Sequence, residues 1–287
     1  MTSPATARRL WALGEPFHAL LYFTDECVRA GEDVGLTGFW NGYFAFRAAP
    51  LGVVGAPVVT ATFYNFAPAF VRRRVPGVWE TVTPAQALAA RLAGVDAAVR
   101  RVFGEEWPAS AEAAETAELV RIAAEAADVV GRPLAAANAG LPELDPPHLQ
   151  LWQDLTTLRE HRGDGHNAAL LARGIDGIGA HVLAAAAGRS DRGWLIKARG
   201  WDDDAWAGGV ARLTERGWLA DEELTAEGTA TVAAIEADTD RLALAPWQEL
   251  GDARCDRLAE LLAPIRRAVL AADAWKPGNP IGVPDPD

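Results

Sequence analysis

The sequence predicts a mainly α-helical protein built from two similar halves. Three observations carry this. Ala-rich segments with helical spacing recur along the chain, at Ala85–Val102, Ala111–Val130, Trp206–Arg216, Thr229–Leu242 and Arg254–Ala271. Strand-forming runs are scarce. A set of landmarks also repeats in the same order on either side of a Pro/Gly-rich segment, Gly140–Pro147.

The elements follow from local chemistry. In Ala111–Val130, Ala114, Ala117, Leu119, Val120 and Ile122 alternate with Glu112, Glu115, Glu118 and Arg121 near a 3.6-residue period, giving one apolar and one charged face. Ser110 is its cap, Glu112 and Glu115 suit the positive end of the helix dipole, and Gly131 with Pro133 ends it. Thr83-Pro84 reads as a cap and first helical residue. The β-branched and aromatic run Val58–Phe66 fits a strand or a buried helix, bracketed by Pro57 and Pro68. Short extended pieces are expected at Trp218–Leu219 and Glu223–Thr225, and a surface loop at Gly188–Arg192.

The repeat is read from paired landmarks. Pro16, His18, Tyr22 and Arg29 match Pro146, His148, Trp152 and Arg159. Gly42–Val59 matches Gly165–Val182, Gly77–Glu80 with Trp79 matches Gly200–Asp202 with Trp201, and Gly131–Leu141 matches Asp240–Leu250. The organisation expected is a first repeat over 1–141, a linker over 142–147 and a second repeat over 148–287.

Composition bounds the function. The 287 residues carry 27 Lys+Arg against 39 Asp+Glu, a net charge of −12, which argues against broad nucleic-acid binding, because phosphate contacts need a basic surface. Two cysteines, Cys27 and Cys255, are too few for a disulfide framework or a cysteine zinc site. No apolar run reaches the length of a membrane span, and the first residues lack a signal-peptide core, so a cytoplasmic location with no membrane partner is expected. The chain has no Gly-x-Gly-x-x-Gly after a strand, no phosphate-binding loop, no nucleophile elbow and no Cys-x-x-Cys.

The second half carries the clearer fold signature. Gly217 ends a helix, Trp218 and Leu219 enter a strand, Asp221–Glu223 form a tip, Leu224-Thr225 return, and Thr225 caps the next helix with Glu227 in its first turn. This strand-turn-strand between helices resembles the winged-helix region of MarR-type regulators over about 60 residues. End to end, the chain resembles a group of actinobacterial proteins labelled helix-turn-helix or MarR-like. The resemblance rests on Tyr43–Gly52, Ala61–Pro68, Arg159–His166, Arg199–Trp206, Thr239–Ala243 and Asn279–Gly282. It implies two pseudo-symmetric winged-helix-like repeats packed as one unit, with small β wings, and supplies no mechanism. A DNA-binding regulator is one function it implies. Against that, the recognition helix, Asp202–Arg216, carries Asp202, Asp203, Asp204 and Glu215 against Arg212 and Arg216, and the wing tip is Asp221, Glu222 and Glu223. The basic clusters, Arg72–Arg74 and Arg266-Arg267, lie elsewhere.

The stretch His148–Asn167 is the most chemically loaded. His148, Trp152, Leu155, Arg159 and Arg162 step by four and three residues along one helix stripe, where a purely packing stripe would be apolar. Gly163 is expected to break that helix and Asp164 to cap the next, with His166 and Asn167 in its first turn. Three readings compete. Asp164 and the arginines are structural; or the arginines hold an organic anion, with His161, Asp164 and His166 as candidate acid–base groups; or those three gather a metal, a spacing that matches no zinc pattern and needs His18 or His181 brought close. The first half supplies aromatic and polar partners: His18, Tyr22, Trp40, Tyr43, Arg47, Tyr64 and Asn65. Each is more often core than pocket when taken singly. Together they predict a cleft between the repeats that takes a small, anionic molecule. A filled, dry cleft would instead favour a scaffold or protein-interaction role. The residues single out no cofactor and no metal, and a monomer and a homodimer fit equally.

Overall fold

The computed structural model describes residues 1–275, 279 and 281–283. The chain is mainly helical. It opens with α1 (Pro4–His18), α2 (Leu20–Phe23) and α3 (Asp25–Asp33), followed by α4 (Phe39–Ala48) and α5 (Ala56–Phe63). Next come α6 (Pro68–Arg72), α7 (Gly77–Thr81), α8 (Pro84–Phe103), α9 (Ala111–Glu125) and α10 (Pro133–Ala139). The central α11 (Pro147–Leu171) leads to α12 (Gly177–Ala186), α13 (Arg192–Arg199) and α14 (Asp203–Glu215). A hairpin of β1 (Leu219–Ala220) and β2 (Glu223–Leu224) precedes α15 (Ala226–Leu242), α16 (Ala245–Leu250) and α17 (Asp252–Ala271).

Local signals set most boundaries. Thr83 and Gln86 form a reciprocal capping box at α8, and Ser110 accepts from Ala113 N–H at α9. The run from Val58 folds as helix, with Pro57 in its first turn where the missing N–H costs nothing. Thr225 caps α15, and Gly217 takes a left-handed φ of 74° as α14 ends. The hairpin pairs Leu219 with Leu224 and Ala220 with Glu223. Both tip residues, Asp221 and Glu222, have positive φ, as a two-residue turn with the twist of its strands requires.

Three expectations are corrected. Gly163 does not break a helix. α11 runs unbroken through Gly163 and Gly165, so Asp164, His166 and Asn167 are interior residues. Tertiary packing outweighs the roughly 1 kcal/mol per glycine of lost helix propensity. Asp164 does cap a helix, but a different one: its Oδ2 accepts from Leu134 and Ala135 N–H at the start of α10, 3.0 Å each. The first half also has no wing. After α7 the chain passes through Val82 and Thr83 directly into α8, and the β1–β2 hairpin is the only sheet among the described residues.

The apolar core divides into two parts. The larger unites α1–α10, the first half of α11, and α16–α17, with Phe17, Phe44, Trp152, Leu258 and Leu262 at its centre. The smaller lies within 169–235, under α12–α15 and the wing, around Ile178, Leu195, Trp206 and Leu213. The two parts of the core meet within α11 and again before α16. α11 is the element common to both, and it is buried on most of its circumference, so its polar side chains need partners inside the protein.

Candidate functional site

Where α11 meets α1, α4, α8 and α13, four arginines and two glutamates are gathered in the interior. Arg47 grips Glu160 with both arms of its fork, Nε to Oε1 at 2.8 Å and Nη2 to Oε2 at 2.9 Å. Arg159 bonds the residue that follows it on α11, Glu160 (3.1 Å), and reaches across to Glu15 on α1 (3.2 Å). Tyr43 accepts from Arg47 at 3.2 Å and packs on Tyr22, whose ring meets His18 edge-on. His18 in turn stacks on Trp152, the rings 6.1 Å apart and 14° from parallel, while the Trp152 indole donates to the His18 carbonyl. Arg91 and Arg199 complete the group, their guanidiniums lying over the rings of Trp152 (5.1 Å) and Phe66 (4.6 Å).

The electrostatics are one-sided. Burial pushes Glu160 up, but Arg47 and Arg159 outweigh it and hold its carboxyl well below the usual range. Among the described residues Arg91 and Arg199 face no carboxylate within bonding distance, and burial pushes each down to about 10. Four guanidiniums against Glu15 and Glu160 leave a positive surplus, and counting Asp164, which also feels Glu160 and Arg47, does not remove it. Burial and Arg159 hold His18 neutral, its pKa well below the ordinary value. The orphaned atoms point the same way: Arg91 Nε and Nη2, Arg199 Nε and His18 Nε2 are buried and find no hydrogen-bond partner among the described residues. A cavity touching the cluster through Glu15 and Arg159 measures about 20 Å³, room for one water. The half-buried Trp40, Tyr43 and Arg159 form the side nearest solvent.

The structure thus brings together His18, Tyr22, Trp40, Tyr43, Arg47, Trp152 and Arg159, all singled out from sequence. It scatters the others. Arg162 is spent on Asp240 (2.7 Å) and covers Trp11. His148 pairs with Asp96 at 2.6 Å, on the side of α11 facing α8. Tyr64 hydroxyl donates to the Ile175 carbonyl, and Asn65 acts through its backbone carbonyl, which accepts from Trp201 Nε1 (2.9 Å) and His181 Nε2 (3.0 Å). His161, Asp164 and His166 do not converge, because on one unbroken helix the offsets of two and five residues turn His166 away from Asp164 and His161. Asp164 faces α10, and His166 faces Thr239 of α15. Among the described residues no three His, Cys, Asp or Glu side chains are placed to hold a metal. Glu15, Arg91, Glu160 and Arg199 were missed. Arg91 had a signal: it interrupts the otherwise small apolar face of Ala87, Ala90, Gly94, Val95 and Ala98.

The second core carries a three-helix unit with a hairpin. α13 and α14 are joined by Gly200, Trp201 and Asp202, a three-residue turn with glycine at φ 73°, and the wing follows α14. Its outward face is acidic and small. Asp203, Asp204, Ala207, Ala211 and Glu215 are exposed on α14, and Asp221, Glu222 and Glu223 at the wing. The two basic residues are engaged: Arg212 with Asp176 (2.8 Å), and Arg216 over the Trp218 ring (3.6 Å) with a bond to the Arg173 carbonyl. The sequence pattern of a helix-turn-helix family matches residues 7–276, nearly the whole chain. The chain belongs to this helix-turn-helix family. The family match takes in the polar cluster as well as the winged unit of this helix-turn-helix protein. No curated protein and no solved structure matches it. Among its described residues no single helix is long and apolar enough to cross a membrane; the apolar pair α4–α5 is bent by 92°.

Proposed function

We propose that this helix-turn-helix protein binds a small anionic molecule at the arginine cluster between α1, α4, α8, α11 and α13. One observation carries the reading: the buried guanidiniums outnumber the carboxylates that face them, and among the described residues neither Arg91 nor Arg199 has a carboxylate within bonding distance. Buried charge is costly unless paired, so an interior surplus of this sign is complementary to an anion. Arginine suits the role because its planar fork takes oxyanions bidentately. The cavity that touches the cluster at Glu15 and Arg159 has room for one water, so a larger molecule enters by displacing side chains, for which the half-buried Trp40, Tyr43 and Arg159 are nearest solvent. Native mass spectrometry of freshly purified protein tests this: a retained small acid, released on denaturation, is expected, and protein of the bare chain mass that also fails to bind any added acid or phosphate overturns it.

A second reading, a DNA-binding transcriptional regulator, is favoured by family membership and the wing. The acidic α14 and wing tip oppose it, since each carboxylate facing phosphate is repulsive. A gel shift with the DNA upstream of its own gene at low salt separates the two; a sequence-specific shift would make the anion a co-effector of a regulator.

A further inference from the structure

The hydrogen-bond pattern around Trp152 defines what the anion must carry, granted that the cluster is an anion site. Arg91, 2 % exposed, donates Nη1 to the Phe46 carbonyl at 3.1 Å. Its Nε and Nη2 have no partner among the described residues. Those two N–H groups form the side-on fork of a guanidinium, the same pair of atoms with which Arg47 holds both oxygens of Glu160. Arg91 therefore offers an unused copy of a carboxylate clamp that the same cluster employs elsewhere. Its guanidinium carbon lies over the Trp152 ring, 5.1 Å from the centroid.

His18, 1 % exposed, flanks the same indole. The Thr156 hydroxyl has a single proton and donates it to the Trp152 carbonyl at 2.8 Å. The 2.9 Å contact between Thr156 Oγ1 and His18 Nδ1 must then be donated by the imidazole. A neutral ring protonated at Nδ1 has a bare lone pair at Nε2, and Nε2 is the ring atom without a partner. Beside one indole, then, the structure leaves a bidentate donor and a lone acceptor without partners among the described residues.

We infer that the ligand is a small carboxylic acid that also bears a hydrogen-bond donor, a hydroxy acid, with its carboxylate on the Arg91 fork and its hydroxyl donating to His18 Nε2. A plain acid would leave the His18 lone pair buried and unsatisfied. Hydrogen phosphate also carries an O–H and is the competing ligand class, which the titration separates from the hydroxy acid.

Calorimetric titration with matched acids tests this. The pairs are mandelate with phenylacetate, and 3-hydroxybutyrate with butyrate, with inorganic phosphate as the further probe. In each pair the hydroxy member is expected to bind about tenfold more tightly, the worth of one buried hydrogen bond. His18→Phe keeps a ring on Trp152 and removes the acceptor. It should bring the ratio within each pair to near one while leaving the plain acid's affinity in place. Arg91→Lys, which keeps the charge and loses the fork, should weaken both members; if that variant does not fold, the His18→Phe ratio decides alone. Equal affinities within both pairs in the unaltered protein would overturn the hydroxy-acid assignment and leave the anion site standing. Phosphate binding more tightly than every acid would overturn the carboxylate assignment. Binding of none of the five probes would overturn the anion site itself.

Discussion

Single residues in this protein differ in whether their burial is compensated. Glu160 is 1 % exposed and shared by Arg47 and Arg159. Glu160→Gln leaves two buried guanidiniums facing a neutral amide, and we expect a loss of about 3–5 kcal/mol, read by urea denaturation at neutral pH. Because the folded carboxyl titrates well below its unfolded value, this stabilisation is full above the ordinary carboxylate pKa and disappears as pH falls toward the folded one. Asp154 is the opposite case. Burial pushes its carboxyl up to about 6, and its Oδ2 has no partner among the described residues. Ionising it weakens the fold, so its contribution worsens as pH rises from about 4 to about 6. Asp154→Asn should raise the melting temperature at pH 8, by an amount on the order of 2 kcal/mol in stability, and have little effect at pH 4. Equal melting curves for the two chains at pH 8 would refute that assignment.

Among the elements, α10 and the wing depend on side chains and backbone geometry outside their own regular structure. α10 has no side-chain cap from its N-cap residue, Arg132; Asp164 supplies it from the middle of α11. Asp164→Ala should cost about 1–2 kcal/mol, with amide exchange at Leu134 and Ala135 rising ahead of the rest of the larger core. The wing tip holds Glu222 at φ 64°, a conformation glycine adopts without strain. Glu222→Gly should leave stability unchanged or raise it by up to about 1 kcal/mol, and a marked loss would mean the carboxylate itself matters.

For the molecule as a whole, the question is how the winged unit is held against the larger core. The junction is the segment from Tyr64 to Ala67. Tyr64 takes φ 60°, a strained value for a non-glycine residue, and its hydroxyl reaches the Ile175 carbonyl. Asn65 accepts from Trp201 and His181, and Ala67 N–H donates to the Arg199 carbonyl at 2.9 Å. Phe70 packs so tightly against Gly200 that a Cβ there has no room. Arg199, the residue before that glycine, is also one of the unmatched arginines, so the anion cluster and the helix-turn-helix share one anchor. Gly200→Ala should loosen this docking, and hydrogen exchange should then report faster opening of 169–235 while α1, α8 and α17 stay protected. Uniform destabilisation of both cores would show that the winged unit has no separate freedom.

The sequence by itself determined what depends on neighbours along the chain. Helix periodicity, the caps at Ser110, Thr83 and Thr225, the φ-positive Gly217 and the two short strands are local, and each formed where its residues required. The acidic face of α14 was equally legible, since exposed residues of a helix follow from spacing. What the tertiary structure decided is long-range. Two glycines did not break α11 because packing on α9, α10, α15 and α1 outweighed their propensity. Asp164 was legible as a cap, but its partner, α10, lies 30 residues away in sequence. Arg159 and Arg162 sit three residues apart, yet one joins the cluster and the other an ion pair with Asp240, because α1 and α15 bring different carboxylates to them. Sequence spacing marks which residues can share a face; only the packed chain fixes which charges meet there and which, at Arg91 and Arg199, have no carboxylate partner among the described residues.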